Sequence, residues 1–334
     1  MMKYNRKNNI QYTVGLAALA VTVTLTGCAV QQGEDTDENE RLLLEAHVGI
    51  HYPSAQKKAS GLYFIDVLPG TGAQPQAQDY VYVNYTAYDL QGNVQTSSSV
   101  TNSNSDSIAR QLGTFAYTTY YGPRLWGIGR SVLYTGLEEA LYGMRVGGKA
   151  RILLPTWLTT IGESDRQLTS PAVFDIELLE VISDISEYEK NALRDYNQSH
   201  YNVQPENDDT WYFAELTPGA GEIAAINDTF HVWYVGYLLD GFVFDTNIAD
   251  SAKYHRIYDS SSTYEELTSV YAEEMELVDG FKQALEKMKA GGEAIVFFSS
   301  DLGYADVGSG QIQVYTPLCF YIRMERIGRA VSTD

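Results

Sequence analysis

The sequence predicts an α+β protein with two tandem domains, each an antiparallel sheet wrapped on one short helix, and with a short helical segment before each domain. Two observations support this prediction. One unit of sequence occurs twice, and each unit contains several alternating aromatic and β-branched segments and a single amphipathic one. Such alternation indicates strands with one buried face, and a lone amphipathic helix needs a sheet to cover its apolar side.

The repeat is visible in three blocks of sequence. Residues 61–94 align without gaps on residues 210–243, and 12 of the 34 positions are identical, whereas average residue usage would give roughly two. The second block pairs GLEEALYGMRVGGKARILL with GFKQALEKMKAGGEAIVFF, and the third pairs PAVFDIELLEVI with PLCFYIRMERIG. The same blocks in the same order indicate that a whole domain is duplicated.

Each block predicts particular elements. LYFIDVL and WYFAELT predict strands that end in the turns PGTG and PGAG, and QGN and DGF predict hairpin turns behind the next strand. LEEALYGM and FKQALEKM carry apolar residues at i, i+4 and i+7, which predicts a short helix with one buried face. The Gly-Gly pair behind each helix is expected to stop it in a left-handed cap.

Charged, helix-compatible sequence before each unit sets the expected domain limits. Behind a signal peptide (1–27) we expect an acidic tether (28–40), a first domain (41–183), a helical linker (184–209) and a second domain (210–328). A long insert separates the hairpin from the helix in each unit, at 97–131 and at 248–276.

The N-terminus is typical of an exported bacterial lipoprotein. Basic residues precede an apolar run that ends in LTGC, which resembles a lipobox with Cys28 as the lipidated residue. We therefore expect a lipid-anchored protein of the bacterial cell envelope, on the periplasmic or the outer face of the outer membrane. The other cysteine, Cys319, is expected to be buried. A formal charge of -20 argues against nucleic acid as a partner.

The ordered motifs PGxG, DGxxFD, GFxxALxxMKxGGxA, LGY and CFxI resemble those of the FKBP-type peptidyl-prolyl cis-trans isomerases. The resemblance covers about residues 60–182 and 210–328, where the second unit carries the motifs in full and the first keeps their order. It implies an FKBP-like fold in both units. It also implies a hydrophobic cup between sheet and helix, lined by aromatic residues, with an Asp and a Tyr as polar contacts.

The second unit matches this cup at nearly every position. By resemblance, the predicted catalytic residues are Tyr234, Asp245 and Tyr304. The predicted substrate-binding residues are Phe244, Leu277, Val278, Phe281 and Phe320, with Phe281 in place of the usual Trp of the cup floor. Activity is therefore expected in the second domain.

The first unit retains only part of the set. Its counterparts are Tyr85, Gln95, Thr96, Leu137, Thr160 and Phe174, of which only Tyr85 and Phe174 keep the residue type. The hairpin frame thus persists without the Phe-Asp pair, so the fold does not require that pair. Trp126 and the tyrosines of FAYTTYY are candidates to refill the pocket.

The resemblance implies a prolyl isomerase that assists the folding of exported proteins by acting on their proline-containing segments. Amide resonance sets a barrier of about 18–20 kcal/mol to rotation, and a dry aromatic cup would favour the twisted, less polar amide over the planar one. The alternative is a non-catalytic FKBP-like surface lipoprotein that binds peptides or proteins. The long inserts favour this alternative, because they are expected to lie beside the mouth of the cup.

Other chemistries have little support in the sequence. His47 and His51 are four residues apart, but a pair at the end of a helix is more common than a metal site of this spacing. The sequence contains no HExxH, GxSxG or Walker motif. We therefore expect no metal and no cofactor.

Overall fold

The computed structural model describes residues 32–98, 109–110, 113 and 115–330. The predicted signal peptide and Cys28 lie outside the described residues. Among the residues described, no helix is both long and apolar enough to cross a bilayer.

The first half of the described chain builds one sheet, with one helix before it and one short helix on its face. Its elements are α1 (Gln32–His51), β1 (Gln56–Lys57), β2 (Tyr63–Leu68), β3 (Tyr80–Tyr88), β4 (Val94–Ser97), β5 (Arg124–Gly127), α2 (Thr135–Tyr142), β6 (Lys149–Leu154), a 3₁₀ turn (Thr156–Leu158) and β7 (Ala172–Ile182).

The second half repeats this plan. Its elements are α3 (Ile185–His200), β8 (Pro205–Glu206), β9 (Trp211–Thr217), β10 (Thr229–Leu238), β11 (Val243–Thr246), α4 (Ala249–Tyr254), β12 (Leu267–Val270), α5 (Asp279–Lys287), β13 (Glu293–Phe298), a 3₁₀ turn (Ser300–Leu302) and β14 (Leu318–Gly328).

The two seven-stranded sheets have the same topology. The first has the order β1-β2-β6-β7-β3-β4 with β5 also on β3, and the second has β8-β9-β13-β14-β10-β11 with β12 also on β10. All these pairings are antiparallel. The predicted α+β class and the tandem repeat are both confirmed.

One short helix lies on one face of each sheet. α2 buries Leu137 and Leu141, and α5 buries Phe281 and Leu285 at the equivalent positions. These side chains pack into two separate cores, one for each sheet. Cys319 on β14 is fully buried, as predicted, and burial raises the pKa of its thiol.

The prediction that Gly-Gly stops each helix is wrong. α2 ends at Tyr142 and α5 at Lys287, several residues before Gly147 and Gly291. These glycines have φ values of 83° and 76°. They form the turn that leads into the next strand, where the left-handed backbone favours glycine.

A carboxylate joins the helix before each domain to that domain. On α1, Glu40 accepts hydrogen bonds from the Thr156 backbone N–H (2.6 Å) and hydroxyl (2.7 Å). On α3, Glu189 accepts the same two bonds from Ser300, at 2.6 and 2.7 Å. Thr156 and Ser300 begin the two 3₁₀ turns. Each preceding helix is therefore an integral part of its domain.

α1 also changes the interpretation of the acidic segment 28–40. The helix begins at Gln32, and Asp37 forms a two-pronged ion pair with Arg166, with Nη2 to Oδ2 at 2.6 Å. Asp37 and Glu40 therefore contact the folded domain, where the sequence predicted a solvated tether.

We expect Glu189→Ala to lower the free energy of unfolding of the second domain by about 3 kcal/mol, because the substitution leaves two buried donors of Ser300 without their acceptor. Chemical denaturation followed by tryptophan fluorescence measures this loss. Asp195→Ala is the matched control, because Asp195 is exposed on the same helix, and should change stability by no more than about 0.5 kcal/mol. Equal effects of the two substitutions would contradict the role of Glu189.

Candidate functional site

The β10–β11 hairpin brings three of the predicted site residues together. Tyr234 on β10 points into the core, and Phe244 and Asp245 lie on β11, with Asp245 paired to Gly236 of β10. Gly236 makes room for aromatic rings: a Cβ atom there would lie 2.6 Å from the ring of Phe244 and 2.9 Å from that of Phe320. The glycine therefore allows Phe244 to pack over the sheet.

Tyr234 and Asp245 form the polar part of the site. The Tyr234 hydroxyl donates to Oδ2 of Asp245 over 2.7 Å. Burial, and next the charge of Asp245, raise the pKa of Tyr234, so this hydroxyl remains a donor. Burial and the same carboxylate also raise the pKa of Tyr304. The charge of Asp245 therefore contributes to the raised pKa of both predicted catalytic tyrosines.

Aromatic rings build the apolar part of the site. The ring of Phe281, on α5, lies 5.8 Å from that of Tyr234 and 5.0 Å from that of Phe320, and both contacts are edge-to-face. Phe244 meets Phe320 edge-on at 5.6 Å. Phe281 is fully buried and forms the floor, as expected from the resemblance.

The rim of the site remains open. Phe244, Leu277, Val278 and Tyr304 pack against the same core and are only partly buried. The structure thus brings all the predicted residues of the second domain into one cup. Its floor is buried, its rim is accessible, and one carboxylate lies at its edge.

Several contributors to the site were not among the residues predicted from the sequence. Phe298 on β13 stacks beneath Phe320 at 6.0 Å, and Ile312 is buried in the same cluster. Asn247 accepts a hydrogen bond from the Tyr234 backbone N–H over 2.7 Å, and Thr246 donates to the Tyr234 carbonyl over 2.6 Å. The run EAIVFF and the TN pair behind Asp245 were the available signals.

The first domain keeps this framework around Tyr85. Ser98 accepts from the Tyr85 backbone N–H over 3.0 Å, and Ser97 donates to the Tyr85 carbonyl over 3.2 Å. Thr96 pairs with Ala87 in the register that Asp245 and Gly236 have in the second domain. The hairpin therefore keeps its geometry without a Phe-Asp pair.

The first domain fills the cup differently. The ring of Trp126, on β5, packs on that of Tyr85 at 5.1 Å. The ring of Phe174, on β7, lies 6.4 Å from that of Tyr85. Leu137 and Phe174 are buried, whereas Gln95 and Thr96 are exposed. Thr160, at the position of Tyr304, instead contacts the hydroxyl of Thr135 at 3.2 Å. Trp126, one of the candidates named from the sequence, thus packs against Tyr85 in the first domain.

A cavity distinct from this cup is present in the second domain. It has a volume of about 790 Å³ and lies beside β12. Its lining is Trp233, Tyr234, Asn247 and residues 263–268, so Tyr234 is its one residue in common with the predicted site.

One family model matches part of the second domain. Residues 221–325 match the family model described as FKBP-type peptidyl-prolyl cis-trans isomerase, and this span contains every predicted residue of the second cup. A comparison with curated proteins gave no match.

Among solved structures, the chain resembles three FKBP domains of wheat FKBP73, at 16% identity and a TM-score of 0.32, over 83% of this chain and 100% of that one. A Pseudomonas syringae pv. tomato peptidyl-prolyl cis-trans isomerase matches at 25% identity and a TM-score of 0.34, over 43% of this chain and 94% of that one. FkpA from Escherichia coli matches at 20% identity and a TM-score of 0.31, over 45% of this chain and 60% of that one. Residues 221–325 of the second domain thus match the FKBP-type peptidyl-prolyl cis-trans isomerase family model, and the two halves of the chain share one sheet order.

Proposed function

We propose that the chain is a lipid-anchored prolyl isomerase that assists the folding of exported proteins, and that its second domain is the active one. The observation that carries this proposal is the hydrogen bond between Tyr234 and Asp245 at the edge of an open aromatic cup. The first domain lacks the carboxylate at this position, because Thr96 replaces Asp245, and Trp126 packs on Tyr85 there.

The cup accelerates rotation by binding the twisted amide better than the planar one. A planar prolyl amide is polar and well solvated, and resonance opposes its rotation with a barrier of about 18–20 kcal/mol. Phe244, Phe281 and Phe320 hold the proline ring and exclude water from the amide. The twisted amide has lost resonance and is less polar, so it loses less on entering this apolar site.

The polar residues stabilise the rotating carbonyl. As the nitrogen lone pair leaves conjugation, the carbonyl carbon becomes more electrophilic, and the carboxylate of Asp245 faces this developing charge. Tyr234 holds that carboxylate in place through its hydroxyl. Tyr304, whose pKa is raised by burial, remains protonated and donates a hydrogen bond to a carbonyl of the bound peptide.

The proposed location follows from the N-terminal sequence. LTGC supplies the lipid-bearing Cys28, and α1 begins four residues beyond it, at Gln32. The folded domains therefore lie close to the membrane and act on exported chains whose X-Pro bonds still populate both isomers.

Asp245→Ala should lower kcat/KM for an X-Pro peptide by about 100-fold, because it removes the charge at the rotating carbonyl and the acceptor of the Tyr234 hydroxyl. The matched control is Thr96→Ala, which alters the same hairpin position in the first domain and should leave kcat/KM unchanged. Isomerisation is followed in a protease-free assay, with thermal unfolding recorded for both variants. Full activity of a folded Asp245→Ala protein would refute the assignment.

A distinct result would support the non-catalytic alternative. If the wild-type protein binds proline-containing peptides but leaves their isomerisation rate unchanged, the cup is a recognition site without turnover. The partly buried rim of Phe244, Leu277 and Val278 is compatible with such binding. The isomerisation rate of the wild-type protein therefore decides between the two functions.

Cys28→Ala should abolish incorporation of radiolabelled palmitate and release the protein from the membrane fraction, because no other residue can accept the lipid at a lipobox. Cys319→Ala is the control, since Cys319 is the only other cysteine and is buried. This variant should keep both the label and the membrane location. Palmitate labelling that survives Cys28→Ala would disprove the anchor.

A further inference from the structure

Part of the first domain's insert lies on the second domain. Residues 115–125, here called the bridging segment, run into β5. The side chain of Tyr120, in this segment, packs against the core of the second domain. The segment has the sequence FAYTTYYGPRL, whose tyrosines were candidates to fill the first domain's own pocket.

Tyr120 contacts two segments of the second domain. Its backbone N–H donates to Oε1 of Gln311 over 2.8 Å, and its hydroxyl donates to Oδ2 of Asp240 over 3.0 Å. Its ring meets that of Phe242 edge-on at 5.2 Å. Burial, and next the charge of Asp240, raise the pKa of Tyr120, so the hydroxyl keeps its proton and its bond.

These partners lie near site residues along the chain. Asp240 and Phe242 form the turn of the β10–β11 hairpin, immediately before Phe244 and Asp245. Gln311 lies on the loop that follows Tyr304. Tyr120 therefore connects the turn before Phe244 and Asp245 to the loop that follows Tyr304.

Other contacts fix the bridging segment in place. Gln313 accepts from the Leu125 backbone N–H over 3.2 Å and donates to the Pro123 carbonyl over 2.9 Å. The Tyr117 hydroxyl accepts a hydrogen bond from Arg256 of the second domain's insert. The segment continues into β5, which pairs with β3 of the first domain's sheet. The bridging segment is therefore held by contacts with both domains.

The bridging segment does not close the cup. Phe244, Leu277, Val278 and Tyr304 keep partial exposure beside it. Tyr120 and Phe242 are themselves partly exposed and extend the aromatic surface beyond the cup. Phe242 is two residues from Phe244 of the rim, so this aromatic surface is adjacent in sequence to the cup.

We propose that Tyr120 of the first domain is part of the peptide site of the second domain, and that the combined site selects extended, unfolded segments with an apolar or aromatic residue near the proline. This inference rests on the proposed function, because it requires a cup that binds prolyl peptides. It gives the first domain a role as a substrate-binding wall supplied within the same chain.

The test compares two peptide ligands with the full-length protein by titration calorimetry. One is an unstructured peptide of about 20 residues with a central Leu-Pro bond and a flanking Phe, and the other is the four-residue peptide Ala-Leu-Pro-Ala. Tyr120→Ala should weaken the Kd of the long peptide about 10-fold and leave that of the short one unchanged. Tyr120→Phe keeps the ring and should retain most of the affinity. Tyr142→Ala, which removes an exposed tyrosine on α2, should change neither Kd.

Three results would overturn the inference. Unchanged binding of the long peptide by Tyr120→Ala would show that Tyr120 only joins the two domains. Tighter binding of both peptides would make it a cover over the cup, and equally weaker binding of both would make it a structural support for the loops. The isomerisation rate of the wild-type protein tests the proposed function separately. If the wild-type protein binds both peptides without accelerating isomerisation, catalysis is refuted. The Tyr120 comparison then still decides whether Tyr120 is part of the peptide site.

Discussion

Each domain has to cover one face of a seven-stranded sheet with a single helix of eight or nine residues. At 1.5 Å per residue, such a helix is about 12–14 Å long. Strands spaced about 4.8 Å apart make the sheet roughly 25 Å wide. The helix therefore leaves part of the apolar face of the sheet uncovered. The rest of each domain depends on which side chains occupy this part of the face.

The two domains use it differently. In the first, Trp126 from the insert strand packs on Tyr85 and completes the core. In the second, the corresponding strand β12 brings no such ring, and Phe244, Phe281 and Phe320 surround an open cup. Filling the gap favours stability, because it removes apolar surface from water. Leaving it open keeps aromatic surface accessible to a ligand and places Asp245 at its edge.

Burial of polar groups connects these cups to the rest of the chain. Glu189 is buried and holds Ser300, from which the chain continues to Tyr304, so α3 supports the loop that carries a proposed catalytic residue. Tyr120 reaches the same loop from the opposite direction, through Gln311. A helix that precedes the second domain and a segment of the first domain thus both contact the part of the chain that follows β13.

The sequence by itself determined the duplicated fold and the residues of the second cup. Gap-free alignment of the two halves sets the hairpin register, and in a strand the register decides which side chains share a face. The alignment alone was therefore sufficient to group Tyr234, Phe244 and Asp245 on one hairpin, where the strand pairing puts them. The sequence also indicated Trp126 as a candidate to fill the first pocket, but not where its ring would lie.

Only the tertiary structure decided what the non-periodic segments do. The bridging segment, the acidic start of α1 and the buried Glu189 form contacts between residues far apart in the chain, and no local propensity or repeat encodes such pairings. The Gly-Gly turns show the same limit at shorter range. A left-handed glycine suits both a helix cap and a turn before a strand, and the packing of the domain selected the turn.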